Sequence, residues 1–331
     1  MALYYSITGV QAGDLIALTV THSHASTTAI ASFEVKTLRH SIGDHIDISL
    51  GYTTNNSQVF SGYVKSIERS VPDNTWIVNA NDDLIKAIDF FIVSSNPADP
   101  LTYQNISAED LVESILGLAG LNSVDADATS FTFGVSNAFE VNQVSSFDFC
   151  RSISELLAWT LWCDENGTIH FKNRKPFVMS DSEPQPGWSN DSDSTGYTWS
   201  DITTLTVSHG TNEADLRNRV VVYGGTGIYA EAYDSGSPYY HYKTAVLADV
   251  GLVDSQSVAD DIAAYNLHLL NRISESISAS VVGDPSLLPH RVVTVDSTAL
   301  GITSPSELYY IVSATHTLNS SGYVTNLELR K

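Results

Sequence analysis

Gln58 to Ile67 read QVFSGYVKSI, in which pairs of aromatic and β-branched side chains are separated by pairs of small and polar ones. This composition is typical of a β-strand. Gly62, in the middle of the run, indicates a bulge or a bend, because a glycine inside a strand usually marks one or the other. We therefore predict a bent strand at 58–67.

The sequence on either side predicts further strands. Residues 44–50 alternate polar and apolar side chains, and so do residues 33–35. The turn residues 71–74, VPDN, precede another apolar run at 76–78. About six short strands at this spacing predict a small β-barrel or sandwich over residues 1–80.

After Ala80 the pattern becomes helical. A serine followed three residues later by an aspartate precedes each of three apolar runs with helical spacing, as a capping box does. These starts are Ser107–Asp110, Ser145–Asp148 and Ser257–Asp260. Gly120 is placed to end the first helix.

A hairpin is predicted between the second and third helices. Residues 160–163 and 168–171 form its strands, and the turn at 164–167 ends in an Asn-Gly pair that tolerates positive φ. Together these elements predict an α+β linking domain over 81–199. Its last part, residues 179–200, is rich in Ser, Asp, Pro and Gly and reads as a linker.

Strand patterns resume after the linker. They cover 205–207, 219–223, 277–281, 291–295, 309–314 and 323–329. We predict a second tube-like β-barrel over 200–331, with an inserted loop and helix at about 224–276. The expected fold is thus mainly β with an α+β middle, in which two similar tube-like β-barrels are joined by an α/β linking region.

The two β regions read as copies of each other. When residues 43–80 are shifted by 247 positions without a gap, Tyr63 meets Tyr310 and Ser66 meets Ser313. Strand and turn positions also coincide, which matters because a slip of one residue would exchange the two faces of every strand. We predict an internal repeat of one barrel type.

Charge is the largest compositional signal. The 331 residues include 38 acidic and 16 basic ones, for a net charge of −22. Such a surface repels the phosphates of nucleic acids. Solubility, a salty habitat or a passage through which DNA slides without binding would each explain it.

Other compositional features define the class of protein. The hydrophobic content of 43% is that of a folded chain. No apolar run approaches the roughly 20 residues of a membrane span. The N-terminus shows no secretory signal, so we expect the chain to mature in a cytoplasm. Cys150 and Cys163 are interpreted as buried thiols, since two cysteines make neither a disulfide framework nor a four-thiolate zinc site.

Four short motifs invite a functional interpretation, and each is better explained without one. Gly225–Ala230 matches G-x-G-x-x-A, but no helix-forming sequence follows to hold a pyrophosphate, so a loop is predicted. Asn190–Gly196 suggests a calcium loop but lacks the glutamate at position 12. His22 with His24, and His45 near Asp47, are explained equally well by alternating surface positions as by a weak metal site.

Motifs of known enzyme classes are also missing from the sequence. No nucleophile elbow, H-E-x-x-H, Walker loop or papain-like cysteine signature occurs, and the spacing of a glycosidase carboxylate pair cannot be read from sequence. We therefore predict no catalytic, cofactor-binding or metal-binding residues, and no enzyme.

Two segments resemble a known family. Phe60–Glu68 is similar to the F-x-G-x-V-x-x-I strand late in the first barrel of phage baseplate hub proteins. Residues 216–224, 257–276, 283–293, 309–318 and 322–329 follow the order of the second barrel of the same proteins. The chain thus resembles the late control gene D and baseplate-hub family, which is related to the hub part of type VI secretion spike proteins.

This resemblance implies a function. Family members are homotrimers whose two barrels per chain form a pseudo-sixfold ring between the hexameric tail tube and a central trimeric spike. The chain would accordingly be a virion structural protein of the tail baseplate, assembled in the host cytoplasm, without membrane insertion. Its partners would be the tail tube protein, a central spike or tail tip protein and other baseplate proteins, with DNA in transit but not bound. The sequence has no spike β-helix, lysozyme or peptidase domain, so those would be separate polypeptides.

Two alternatives come from other classes of protein. The many tyrosines and the aromatic-rich hairpins would suit a virion carbohydrate- or receptor-binding protein. A cell-wall hydrolase is the other.

For the hub, we expect the acidic residues to concentrate on the wall of the channel, with few Lys or Arg beside them, because basic side chains there would bind phosphate and slow the passage of DNA.

Overall fold

The structure is a computed structural model. It describes the chain except for residues 1, 25, 95–99, 130, 158, 173–193, 200–203, 213–215, 237–242, 249–250, 272–273, 299 and 331. The chain is mainly β, as predicted, and its largest feature is a twelve-stranded, mostly antiparallel sheet. Among the described helices, none has the length and hydropathy needed to span a bilayer.

The first half of this sheet comes from the N-terminal region. Its strands are β1 (Leu3–Ile7), β2 (Leu15–Ser23), β3 (Ile30–Val35), β4 (His45–Tyr52), β5 (Asn55–Ser70) and β6 (Thr75–Asp82). They lie side by side in the order β1-β4-β5-β6-β3-β2. The predicted alternation is confirmed, since Phe33, Val35, Ile46, Ile48 and Leu50 are all buried.

Gly62 is required by a close approach of two strands. A Cβ atom there would overlap the backbone carbonyl of Asn81 on β6. The register shift between β5 and β6 comes slightly later, between Val64 and Ser66. The long strand is therefore irregular near the predicted position.

The linking region follows. Its elements are α1 (Ile85–Asp89), β7 (Phe91–Ile92), β8 (Thr102–Tyr103), β9 (Ile106–Ser107), α2 (Ala108–Leu118), β10 (Val124–Ala126), β11 (Thr132–Phe133), β12 (Phe139–Glu140), β13 (Val144–Ser145), α3 (Ser146–Leu156), β14 (Thr160–Cys163) and β15 (Ile169–Lys172). The first two predicted helix starts are confirmed, because Ser107 and Ser145 accept the backbone N–H of Asp110 and Asp148. The β14–β15 hairpin is confirmed as well.

The second half of the sheet comes from the C-terminal region. Its strands are β16 (Ser194–Trp199), β17 (Thr204–Asn212), β21 (Ser274–Val282), β22 (Val292–Ser297), β23 (Ile302–Asn319) and β24 (Gly322–Arg330). Between β17 and β21 lies an insertion, formed by β18 (Arg219–Tyr223), β19 (Tyr229–Tyr233), β20 (Thr244–Ala248) and α4 (Gln256–Leu270). The second half has the order β16-β22-β23-β24-β21-β17.

The strand order is therefore the same in both halves, and the ladders agree in detail. His45 lies opposite Tyr63 and Val292 lies opposite Tyr310, so both members of the pair differ by 247 (292 − 45 and 310 − 63). Both long strands also shift register at equivalent points, between 64 and 66 in β5 and between 311 and 313 in β23. One difference is that β1 is antiparallel to β4, whereas β16 is parallel to β22.

The ungapped alignment fails in the last strand of each half. Ser66 faces Asn79, but Ser313 faces Glu328 rather than Asn326. The cause is the preceding turn, which has four residues at 71–74 and two at 320–321. The resulting displacement of two residues is even, so inward and outward side chains keep their faces.

Among the described residues, one strand pairing joins the halves. β2 runs antiparallel to the C-terminal part of β23, with Thr21 opposite Thr315. β22 occupies the N-terminal part of the same edge of β23. Within the described residues the halves form one continuous sheet, and no closed barrel is seen.

The buried side chains form three main clusters. One lies within the first half, and it also takes in Leu318 and Tyr323. A second lies within the second half. The third fills the linking region and continues into the insertion, where Val220, Val222 and Ile262 belong to it. The insertion therefore shares its core with the linking region.

Two predictions were wrong in part. Ser194–Trp199 was expected in a linker but forms strand β16 beside β22; the preceding residues 179–193 lie outside the described part. The third helix starts earlier than predicted, at Gln256, with Ser255 as N-cap and no side-chain cap bond. Gln256 instead bonds to Asp260 and to the Tyr229 carbonyl, so contacts with β19 replace the capping box.

Candidate functional site: the polar face of the sheet and the hairpin junction

One face of the joined sheet is polar across both halves. Alternation buries every second residue of β2, β3, β6 and β24, and the residues between them point to the opposite face. We call the outward set the polar face. Its polar members are Thr19, Thr21, Ser23, Ser32, Glu34, Ser66, Glu68, Ser70, Asn79, Asn81, Thr206, Ser208, Ser276, Ser278, Ser280, Ser313, Thr315, Thr317, Asn326, Glu328 and Arg330.

The β2–β23 pairing makes this face continuous. The hydroxyls of Thr21 and Thr315 lie 3.3 Å apart across the seam. Thr21 lies opposite Ile30 on β3, and Thr315 lies opposite Asn326 on β24, so this row of outward side chains continues into both halves. Hydroxyl and amide side chains thus dominate a surface that belongs to neither half alone.

The charge of the polar face is acidic. Its carboxylates are Glu34, Glu68 and Glu328, and Arg330 is the cation that shares the face among the described residues. Lys65 is the extra residue of the β5 irregularity and pairs with Asp89 at 2.6 Å. Since hydroxyls carry no charge and carboxylates repel phosphate, this surface is unsuited to holding nucleic acid.

A second feature is the junction where the β14–β15 hairpin meets both halves. The Glu165 carbonyl accepts a hydrogen bond from Gln58 Nε2 of the first half at 2.9 Å. The Glu165 carboxylate pairs with Arg291, which precedes β22 in the second half. Gly167, at φ +84°, lies so close to Asp83 that a Cβ would be 2.7 Å from its carboxylate. The hairpin tip therefore links both halves to the linking region.

Aromatic rings fill the same junction. The Trp162 indole stacks between His170 and His290, with ring centres 4.8 and 4.0 Å away. His290 Nδ1 lies 3.0 Å from the Tyr310 hydroxyl. The His24 ring contacts the His290 ring edge-on. The two residues are close because β2 ends and β22 begins at adjacent points of β23. The His24 N–H donates to the Val312 carbonyl, and the His290 N–H donates to the Ile311 carbonyl.

The histidines considered as metal ligands have other contacts. His22 is buried, and its Nε2 lies 2.7 Å from the Val59 carbonyl; burial lowers its pKa to about 4. His45 Nε2 lies 3.1 Å from the Ser61 hydroxyl, and its Nδ1 is 4.0 Å from Asp47. Across the described ranges, no three His, Cys, Asp or Glu side chains converge as a metal site would need.

The remaining motifs also have structural explanations. Gly225–Ile228 is the turn of the β18–β19 hairpin, as the loop prediction requires. Of the suspected calcium loop, residues 190–193 lie outside the described part and the rest is in β16. Cys150 and Cys163 are free and buried, as predicted, and burial raises the pKa of both thiols.

Sequence reasoning missed three buried or paired acids, which form two sets. Burial raises the pKa of Asp82 to about 8, although its carboxylate accepts the N–H groups of Ala29 and Leu84 at 2.5 and 3.0 Å. Asp125 and Asp127 both bind the ammonium of Lys172, whose hydrogen bond lowers the pKa of Asp125. Both sets connect elements far apart in sequence, so no local pattern announces them.

No protein-family model matches the sequence, and no curated protein does. Solved structures do match. A 43 kDa tail protein of prophage MuSo2 from Shewanella oneidensis is 12% identical, with a TM-score of 0.69 over 99% of this chain and 97% of that one. A tail protein from Neisseria meningitidis MC58 is 11% identical, with a TM-score of 0.69 over 100% and 97%.

A type VI secretion component of E. coli, described as structurally similar to the T4 bacteriophage tail proteins gp27 and gp5, is 11% identical. Its TM-score is 0.54 over 98% of this chain and 76% of that one. At such identities the likeness concerns the fold. The resemblance is therefore confirmed at the level of the fold: this chain is similar in fold to phage tail proteins and to the type VI secretion component, whereas the two closed barrels are not seen in the described part of the chain.

Proposed function

We propose that the chain is a structural baseplate or tail hub protein, a symmetry adaptor between a hexameric tail tube and a trimeric spike. The observation that carries this proposal is the repeated six-strand order on the two sides of the β2–β23 seam. The likeness to tail proteins in fold supports a tail component rather than another β-rich protein.

The repeat suits this role because of symmetry. A hexameric tube cannot contact a threefold spike equivalently. In a homotrimer, two similar halves per chain offer six similar surfaces to the tube, while features that occur once per chain offer three to the spike. In this proposal each half is one tube-like β-barrel domain (1–80 and 200–331), and 81–199 is the linking domain, extended by the insertion at about 224–276.

The polar face is proposed to line the DNA channel. Its hydroxyl, amide and carboxylate groups would let DNA pass without binding. Exposed Glu68 and Glu328 provide a test. The pair Glu68→Lys and Glu328→Lys should create salt-sensitive DNA retention in the assembled ring, because each lysine can neutralise a phosphate and release counterions.

Glu113→Lys, on the exposed side of α2, is the matched control for charge. Retention of DNA by the control and not by the polar-face pair would place the channel elsewhere. DNA binding by the unmodified chain would contradict passage without binding.

The proposed partners follow from the hub position: the tail tube protein, a central spike or tail tip protein and other baseplate proteins. The protein would reside in the virion baseplate after assembly in the host cytoplasm, without membrane insertion and without enzymatic activity. A mass measurement in solution, combined with electron microscopy of the particles, tests the hub directly. Trimeric rings are expected. A chain that stays monomeric at every concentration, or release of peptidoglycan fragments by it, would overturn the proposal.

A virion carbohydrate- or receptor-binding role is the second candidate, and one observation favours it. Tyr223, Tyr229 and Tyr233 are exposed on the outer face of the insertion, beside the Arg219–Glu231 ion pair at 2.8 Å. Aromatic rings next to charged hydrogen-bonding groups suit sugars. Glycan binding by the chain, lost when these three tyrosines become alanine and kept in Tyr103→Ala, would support this role over the hub.

A further inference from the structure

A groove lies where the insertion meets the linking region. Residues 137–140 and Phe149 of α3 line one side, and the turn at 225–228 and the segment 251–254 before α4 line the other. Its volume of about 540 Å³ is within the range of about 300–1,000 Å³ that is usual for small-molecule sites, which often lie between structural units. None of these residues belongs to the large sheet, so this insertion groove is separate from the polar face.

Hydrogen bonds hold the two sides of the insertion groove together. Asp254 Oδ2 accepts the backbone N–H groups of Ser136 and Asn137 at 2.7 and 3.4 Å. The Gly225 N–H donates to the Val253 carbonyl at 2.8 Å. The turn that begins the G-x-G-x-x-A pattern is therefore held against the segment before α4, and that segment is held against the linking region. The groove is preformed.

Part of the groove is apolar. Phe149, Ile228 and Leu252 line it, and all three also pack in the core that the insertion shares with the linking region. Phe149 is only half-buried, so part of its ring remains accessible in the groove. Phe139, which lines the groove as well, is buried and stacks on Tyr103 with ring centres 6.1 Å apart. An accessible aromatic ring beside packed apolar side chains suits a ligand that has an apolar face of its own.

The rest of the groove is polar. Asn137, Glu140 and Thr226 are exposed, and Asp254 is half-buried. Both carboxylates already accept N–H groups, Asp254 from the backbone and Glu140 from Asn142 Nδ2 at 2.9 Å, which lessens their need for a cation. Among the described residues that line the groove there is no Lys, Arg or His, so an anion would have no cation to pair with. The groove therefore suits an uncharged ligand that donates hydrogen bonds.

We propose that the insertion groove binds a neutral saccharide. A sugar ring has an apolar face of C–H groups, which would lie on Phe149, and hydroxyls, which would donate to Glu140 and Asp254 and bond to the amide of Asn137. The proposal goes beyond the hub function and does not depend on it. The groove is also distinct from the exposed tyrosines on the outer face of the insertion, because Ile228 packs on the core shared with the linking region.

Saturation-transfer NMR on the full chain tests the site, with N,N′-diacetylchitobiose and maltose as neutral probes. Asn137→Ala and Phe149→Leu should each weaken binding about tenfold, which corresponds to about 1.4 kcal/mol. The first removes an amide partner, and the second removes the aromatic face but keeps an apolar side chain in the core. Thermal unfolding of each variant checks that the fold is kept.

Ser136→Ala is the matched control for Asn137→Ala. Both residues are exposed in one loop, and both variants keep the backbone N–H that bonds to Asp254. Ser136 does not line the groove, so its variant should bind the disaccharides as the unmodified chain does. Glucose 6-phosphate and spermidine serve as the anionic and cationic probes.

The expected result is a signal from at least one neutral disaccharide, kept in Ser136→Ala and weakened in both groove variants. A signal from spermidine or glucose 6-phosphate alone would overturn the neutral ligand. Sugar binding that both groove variants keep, and that alanine at Tyr223, Tyr229 and Tyr233 abolishes, would overturn the groove site and support the second candidate function. No signal from any probe would overturn the proposal and leave the hub role standing.

Discussion

The two halves of the large sheet share a strand order but differ in what joins their second and third core strands. In the first half, β2 leads to β3 through residues 24–29. In the second half, the equivalent connection is the whole insertion from β18 to α4, whose core is that of the linking region. A repeated framework can thus carry a once-per-chain element where a connection leaves the sheet.

The largest expected effect tests whether the halves are one folding unit. Phe60 is fully buried in the first-half core, and Phe60→Ala should lower the free energy of unfolding by about 3–5 kcal/mol. Because β2 pairs with β23, we expect a single cooperative transition in denaturant. Val71→Ala, at an exposed site, is the control and should change stability by less than about 0.5 kcal/mol. Separate transitions for the two halves would contradict a shared unit.

The next effect concerns the seam, where the halves differ in chemistry. His22 on β2 and His316 on β23 are buried, and burial lowers their pKa values to about 4 and about 3. The residue of β5 that corresponds to His316 in the 247-residue repeat is Arg69, so the first half has no histidine at that position. Unfolding raises both pKa values toward 6.5. The unfolded chain therefore takes up protons first as pH falls, and stability should drop between pH 6.5 and 4 by up to about 1.4 kcal/mol per pH unit for each histidine.

Denaturant titrations at a series of pH values measure this dependence. His22→Gln keeps a donor for the Val59 carbonyl and should flatten the curve. The control His45→Gln changes an exposed histidine on β4. An unchanged curve in His22→Gln would show that the seam histidine does not carry the acid sensitivity.

A smaller effect distinguishes two glycines on strands of different halves. Gly62→Ala should cost about 1–3 kcal/mol, because its Cβ would overlap the Asn81 carbonyl and force β5 and β6 apart. Gly210→Ala on β17 meets no atom closer than 4.0 Å and should leave the stability of the monomer nearly unchanged. Equal costs at the two sites in thermal unfolding would refute the close approach.

The smallest expected effect compares the N-terminal caps of α2 and α3, in the linking region, with that of α4 in the insertion. Ser107→Ala and Ser145→Ala each remove a side-chain cap and should cost about 1 kcal/mol. Ser257→Ala should cost little, because α4 begins at Gln256 without such a bond. A full capping cost at Ser257, measured by denaturant unfolding, would mean that the helix starts where the sequence pattern places it.

Local chemistry made many features predictable. Alternation in 44–50 predicts which side chains β4 buries, and Ser107 and Ser145 predict helix starts because a cap involves residues three apart. The 247-residue repeat predicts that the register of β4 on β5 equals that of β22 on β23, and the ladders agree. The absence of familiar catalytic motifs is likewise a property of the sequence.

Tertiary structure decided the rest. Nothing near Leu18–Ser23 indicates that this strand would join β23 some 300 residues away (Thr21 to Thr315 is 294), because strand pairing between distant segments depends on which edges packing brings together. The same holds for the insertion, whose Val220 and Ile262 pack with the linking region rather than with the strands that flank them in sequence. The sequence by itself determined most of the strands, two of the three helix caps and the repeat, which are set by neighbouring residues and by periodicity. The seam, the polar face that crosses it and the Trp162 junction required the fold, because their members come from segments that only long-range packing brings into contact.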